Sequence, residues 1–221
     1  MLIRYLTSAV FALAAFSGSA MAVPIYLEQS LIDVSVGDRT SEGSFNNTFS
    51  GGATIDKTID APSADATEFH TQATHIWFST GVPGGGLELD FDLNDNYDIT
   101  TLHFWNYTGE TYDVDNIDFD FFNETMERVG GLSIMPDLGS SPGIRAQDIP
   151  LAAPLNVRFV SAFLTGSNGQ VDFQNIGFSA ELSDPTTPPA PGPAPVPLPG
   201  GLPLLGVALL GLAALRRRSG G

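Results

Sequence analysis

Along the 221-residue chain, hydrophobic and polar positions alternate with a period of two wherever a pattern is sustained. In "GLELDFDLN", Leu87, Leu89, Phe91 and Leu93 fall on one side and Glu88, Asp90 and Asp92 on the other, as in a strand with one buried face. "NIDFDFFN" repeats the arrangement, with Ile117, Phe119 and Phe121 inward and Asp118 and Asp120 outward. Further strands are expected over 26–36, 75–79, 100–107, 131–135, 146–151, 156–164 and 171–180, separated by clusters of Gly, Asn, Asp and Pro. Between residues 23 and 183 no segment sustains the helical period, and residues 37–74 carry no pattern that assigns them to an element. About eight short strands with turn signals every 8–15 residues or so predict one antiparallel β-sandwich or jelly roll. An α/β fold would need helices between the strands.

The two ends read differently. Arg4, the apolar residues 9–16 and Ser19-Ala20-Met21-Ala22 have the basic, apolar and small-residue parts of a secretory signal peptide, so residues 1–22 are expected to be removed by signal peptidase. The opposite end has a Pro-rich linker over 184–200, an apolar run over 201–215 and then Arg216, Arg217 and Arg218. An apolar segment with a basic stop is a membrane-retention device whose basic flank stays cytoplasmic. Its 15 residues are short against the roughly 20 of a spanning helix, which leaves a plain C-terminal anchor as the alternative.

"VPLPGGLPLLGVALLGLAALRRR" resembles the C-terminal sorting signal of the PEP-CTERM group in its VPLPA form, with Gly200 in place of the final Ala. The resemblance implies export across the inner membrane of a Gram-negative bacterium and transient anchoring there. It further implies processing by an exosortase near Val196, Pro197, Leu198 and Pro199, and delivery to the cell surface or beyond.

Charge narrows the function further. The chain has 25 Asp and Glu against 9 Lys and Arg, but Arg4 and the three tail arginines lie in the removable ends. The processed protein therefore carries 25 acids against 5 bases, a net charge of −20. Such a chain lacks the basic footprint that nucleic acid requires. Its self-repulsion favours surroundings where salt or divalent cations screen it. The absence of Cys removes disulfides, thiolate metal sites and Cys nucleophiles.

"DFDLNDNYDITTLHFWNYTGETYDVDNIDFDFF" and "PLNVRFVSAFLTGSNGQVDFQNIGFSAEL" are similar to the strand-turn-strand segment and closing strand pair of galactose-binding-like (discoidin-like) jelly rolls. The resemblance spans residues 87–182, anchored by Trp105-Asn106-Tyr107, Arg158, Asn168-Gly169 and Phe178. After Tyr107 it departs, with acidic "YDVD" where relatives carry Arg-Gly. The resemblance implies one structural calcium where an early loop meets the last strand, which points to Asp56 or Asp60 with Glu181.

Candidate chemistry is sparse. "GSSPG" at 139–143 satisfies G-x-S-x-G, but no strand runs into a helix there, and His103, the last histidine, precedes Ser141. His70 and His75 are five apart, which stacks them on neither a helix nor a strand face. Zinc needs three or four converging ligands, so two loop histidines are the simpler reading. The EF-hand-like start at Asp90 fails at Asp95 and Thr101, where the loop needs Gly and Glu. No pair of carboxylates stands out for glycoside hydrolysis. Polysaccharide binding instead has a candidate platform in Trp105, Asn106, Tyr107 and Tyr112, with Tyr97 nearby, although an aromatic at Trp105 also suits a core. The expectation is an exported, non-enzymatic surface or matrix protein that binds exopolysaccharide. The alternatives are a secreted hydrolase on the same scaffold and a purely structural or adhesive subunit.

Overall fold

The computed structural model describes residues 23–45, 55–70, 75–152 and 156–183. The expected signal peptide, the Pro-rich linker, the expected sorting motif and the apolar run after it lie outside the described residues. The strands are β1 (Ile25–Tyr26), β2 (Asp33–Val36), β3 (Gly43–Phe45), β4 (Thr67–Glu68), β5 (Ile76–Thr80), β6 (Leu87–Asn106), β7 (Asn116–Phe122), β8 (Arg128–Ile134), β9 (Ile144–Arg145), β10 (Gln147–Pro150), β11 (Asn156–Thr165) and β12 (Gln170–Leu182). Short 3-10 turns cover Gln29–Leu31 and Ile55–Ile59, and no α-helix occurs among the described residues. Every strand pairing is antiparallel.

The 20 residues of β6 decide the architecture. At about 3.4 Å per residue they extend too far for one sheet, so the strand serves two. Its first part, Leu87 to Asp92, lies between β2 and β11, giving a front sheet in the order β2-β6-β11-β7-β8. Its second part pairs with β12 over Tyr97 to Asn106 and, on the other edge, with β10 over Thr101 to Phe104, giving a back sheet in the order β3-β5-β12-β6-β10 with β1 also against β12. The corner falls at Asn94, whose φ of 61° is left-handed and suits Asn better than most side chains. Asp92 Oδ1 accepts the Asn94 N–H at 2.8 Å, and Asn94 Nδ2 donates to Asp33 Oδ2 at 3.0 Å.

Two sequence expectations change here. Strands expected separately over 87–93 and 100–107 are one continuous strand, because Asn94-Asp95-Asn96 makes a corner instead of a chain reversal. The single strand expected over 26–36 is divided into β1 and β2 by the turn at Gln29–Leu31.

The core lies between the sheets and follows the alternation. Leu87, Leu89, Phe91 and Leu93 are buried, and so are Ile117, Phe119 and Phe121 of β7 and Val160, Ala162 and Leu164 of β11. The back sheet contributes Ile76, Phe78, Val171, Phe173, Ile176 and Phe178. Edge-to-face packing of Phe91 on Phe178, with centroids 5.4 Å apart, ties the two sheets together. Along β6 the inward positions shift from Tyr97 and Ile99 to Leu102 and Phe104, where the pairing with β12 slips between Ser179 and Ala180.

That shift places His103 and Trp105 on the outer face of the back sheet. This face is covered. Ala61 and Ile144 pack on Trp105, flanked by Tyr26, Ala66 and Ala146, and the β4-β9 ribbon belongs to the same cover. Trp105 Nε1 donates to the Ala66 carbonyl at 3.0 Å, and Asn175 Oδ1 accepts the Ala61 N–H at 3.0 Å.

Candidate functional site

On the front sheet, strand register brings three rows of side chains to the outer face. Asp33, Asp92, Phe159, Phe122 and Arg128 form the first row, taken from β2 across to β8. Ser35, Asp90, Ser161 and Asp120 form the second. Glu88, Phe163, Asp118 and Ser133 form the third. An open groove of about 570 Å³ is lined by the first two rows apart from Arg128, by Glu88, and by Arg39 and Met126. That volume falls within the roughly 300–1,000 Å³ usual for ligand sites.

Arg39 comes from the segment after β2 and reaches into the groove. Its Nε bonds Glu88 Oε1, its backbone N–H donates to Glu88 Oε2 at 2.6 Å, and its Nη2 donates to Ser161 Oγ at 3.2 Å. Ser161 Oγ in turn donates to Glu88 Oε1 at 2.8 Å. Glu88 is only 5% exposed. Burial alone would raise its carboxyl, but the bonds from the Arg39 backbone and guanidinium and from Ser161 outweigh it and hold the group below its ordinary value. Gly37 permits this approach, because a Cβ there would overlap Glu88 Cγ. Asp90 is pushed the other way, upward, first by burial.

Arg158 Nε meets Asp92 Oδ1 at 2.7 Å, and Arg128 Nε meets Asp120 Oδ1 at 2.6 Å. The Arg39 and Arg158 guanidinium carbons lie 5.4 and 5.5 Å from the ring centroids of Phe163 and Phe159. Three of the five basic residues between 23 and 183 are therefore spent on one sheet face. The result is a surface of fixed carboxylates, guanidinium forks and a hydroxyl, interrupted by phenyl rings. Such a surface can exchange hydrogen bonds with ligand hydroxyls while presenting apolar faces to C–H groups.

The residues expected to form an aromatic platform lie elsewhere, and two of them are corrected. Trp105 is 0% exposed, sealed beneath the cover of the back sheet, so it cannot stack on a ligand. Asn106 is also buried. Its Nδ2 donates to the carbonyls of Val114 and Asp137 at 3.0 and 3.1 Å, and its Oδ1 accepts from the N–H groups of Tyr107 and Val114 at 2.9 and 3.0 Å. With all four bonds spent, Asn106 pins the loop between β6 and β7. Tyr97 is core. Tyr107 is half-buried against His70, and Tyr112, 42% exposed, packs edge-on to Trp77.

The calcium expectation also fares poorly. Asp60 Oδ2 is held by Lys57 Nζ at 2.9 Å, and Asp56, Asp60 and Glu181 do not converge as a donor group among the described residues. These residues do not fit a cation needing six or more oxygens.

Two polar constellations were not read from the sequence. His103 Nδ1 lies 2.7 Å from Asp148 Oδ1, and its Nε2 lies 2.8 Å from Ser179 Oγ, the order of a hydrolytic relay. Yet the Asp148 side chain is 65% exposed, and Ser179 sits on a strand paired on both edges, to β1 and to β6. We read these three as a cross-strand hydrogen-bond chain. Ser141 lies in an irregular segment before β9, as a turn residue would. The second constellation joins His70, His75 and Asp172 beneath Tyr107 and Trp77.

Compared with known proteins, the chain matches no family model and no characterised protein by sequence. By fold it is similar to an F5/8 type C domain from Bacteroides fragilis, at 12% identity and a TM-score of 0.50, over 72% of this chain and 98% of that one. A family 32 carbohydrate-binding module from C. perfringens NanJ, solved with galactose, aligns at 12% identity and a TM-score of 0.44 over 71% of this chain and 99% of that one. A fucose-binding module of Streptococcus pneumoniae aligns at 10% identity and a TM-score of 0.43 over 64% and 92%. The fold is an all-β antiparallel jelly roll similar to that of the F5/8 type C domain, and at this identity the likeness carries the fold alone.

Proposed function

We propose that the protein is an exported, non-enzymatic module that binds neutral polysaccharide in the groove of the front sheet. The observation that carries this reading is the groove itself. It is open, about 570 Å³ in volume, and floored by the hydrogen-bonded set Arg39, Glu88 and Ser161 between half-buried phenyl rings. Pre-positioned planar groups suit the paired hydroxyls of a sugar, and rigid polar groups limit the entropy lost on binding. The carboxylates Asp33, Glu88, Asp90, Asp92 and Asp120 line the same groove, so a polyanionic chain would meet repulsion there. A neutral chain would not.

The two ends support the place of action. The signal peptide and the VPLPG-bearing tail fit delivery by signal peptidase, transient residence in the inner membrane, processing by an exosortase near 196–200 and release to the cell surface or matrix of a Gram-negative bacterium. Mass spectrometry of the protein from its host is expected to give a start at Val23 and a missing tail. Intact termini would overturn the sorting reading and leave the groove untouched.

Binding is tested by titrating neutral oligosaccharides into the protein by calorimetry, beside Ser161→Trp, which fills the groove, and Arg39→Ala. Ser161→Trp is expected to abolish binding and Arg39→Ala to weaken it by about tenfold or more, a loss of about 1.4 kcal/mol. Equal binding by all three proteins would overturn the assignment.

A further inference from the structure

A second site lies on the back sheet, apart from the groove. His75 precedes β5 and shares a face with Trp77, which pairs directly with Asp172 of β12. His70 folds back onto them from the segment after β4. The donor atoms of His70, His75 and Asp172 all lie within 4.8 Å of one another. Asp172 Oδ1 is 3.3 Å from His75 Nδ1, Asp172 Oδ2 is 3.9 Å from His70 Nε2, and the two imidazole nitrogens are 2.5 Å apart.

Two features set this cluster apart from an ordinary buried polar contact. Asp172 is almost fully buried, with its side chain 4% exposed, yet its Oδ1 accepts no hydrogen bond. A buried carboxylate oxygen without a donor is costly, and native structures seldom keep one without a reason. The second feature is geometry. A tetrahedral ion with ligands at about 2.0–2.2 Å separates its donors by roughly 3.3 Å, which matches the spacing of Asp172 Oδ1 from His75 Nδ1, while the other oxygen, Oδ2, faces His70 Nε2 at 3.9 Å. The imidazole pair is tighter and would open by under about an ångström to admit the ion. His70 is partly exposed and lies against Tyr107, so the cluster has a route to solvent.

We propose that His70, His75 and Asp172 form a binding site for a zinc-class divalent transition ion, with water or an added ligand atom completing the coordination. Two imidazoles with one carboxylate favour zinc over calcium, which takes oxygen ligands. The aromatic walls from Tyr107 and Trp77 limit solvent around the ion and strengthen its pairing with Asp172. Ion binding would tie the segment bearing His70 to β5 and β12, anchoring part of the cover over the back sheet. The site stands independently of the groove and of the polysaccharide reading.

The test uses the full protein, stripped with chelator, and titrates zinc chloride, cobalt chloride and calcium chloride in parallel. One zinc ion per chain is expected, with calcium inert, and cobalt is expected to give the intense visible bands of a tetrahedral site. Asp172→Asn and His70→Ala should each weaken zinc binding by about tenfold or more. Asp172 is buried, so circular dichroism checks that its variant folds; His70 is partly exposed, so His70→Ala decides the matter if the other variant does not fold. No zinc binding, a weak octahedral cobalt spectrum, or zinc affinity unchanged in folded His70→Ala would each overturn the proposal.

Discussion

Replacing Arg39 with Met tests how the groove floor is held. In the native protein the guanidinium is paired with Glu88, whose side chain is only 7% exposed, while that of Arg39 is 52% exposed. Breaking a fully buried pair costs about 3–5 kcal/mol, because one charge is left without a partner. Two circumstances lower that figure. Water can reach the space left by a half-exposed Arg39, and Glu88 keeps the residue 39 N–H at 2.6 Å and the Ser161 hydroxyl at 2.8 Å. The expected loss is therefore about 1–2 kcal/mol, between the exposed and buried limits. For a domain of this size that is a fall in Tm of roughly 3–6 °C.

Acidity gives a second signature. The folded protein holds Glu88 below its ordinary value, so the stabilisation it supplies is present above the unfolded carboxyl pKa of about 4.3 and is lost as pH falls through the folded value. The gap between native and Arg39→Met proteins should narrow in acid. Glu88→Gln removes the charge that Arg39 compensates, so the double variant should lose less than the sum of the single ones. The assay is urea unfolding at neutral and acid pH, followed by circular dichroism. Additive losses, or an Arg39→Met protein as stable as the native one at neutral pH, would refute the placement of this pair.

Trp105→Ala should cost about 3–5 kcal/mol, the range for emptying a large aromatic site, and appear as a lowered urea midpoint, with oligosaccharide affinity unchanged where the protein remains folded. Tyr112→Ala should cost about 0.5–1.5 kcal/mol in the same assay, since its ring packs edge-on to Trp77, with oligosaccharide affinity unchanged. Asn106→Ala removes four hydrogen bonds from the loop after β6, and hydrogen exchange at Tyr107 and Val114 should quicken. Ser179 should remain unlabelled by a fluorophosphonate probe, because it sits within a strand paired on both edges and its His103 partner is held by an exposed Asp148.

Local alternation made parts of this fold legible. Leu87, Leu89 and Phe91 face the core and Glu88, Asp90 and Asp92 the front because that choice depends only on the period of the strand. The corner at Asn94 was hidden, since Asn-Asp-Asn signals a turn equally well and only sheet closure decides between the two. The burial of Asn106, and the choice between core and platform at Trp105, are hidden for a related reason. Their cover comes from residues 61–66, 137 and 144, distant segments without periodicity.

The groove shows the same limit. Asp33, Asp92, Phe159 and Phe122 meet only through the pairing of four strands, and Arg39 belongs to a stretch that carries no pattern. His70 and His75 fail a same-face test because they do not share a strand, and Asp172 joins them from β12. What sequence conveyed well was the all-β class of the fold. What it withheld was which polar residues meet.

The most direct measurement is a two-dimensional amide NMR titration of the isotope-labelled protein with a neutral oligosaccharide that it retains on a glycan array. Shifts concentrated at Arg39, Asp90, Asp92, Asp120, Phe122 and Ser161, with the Tyr107 to Asp115 loop unmoved, are the expected result. Shifts confined to that loop, or no retention of any neutral glycan, would contradict the assignment of the front-sheet groove as the binding site.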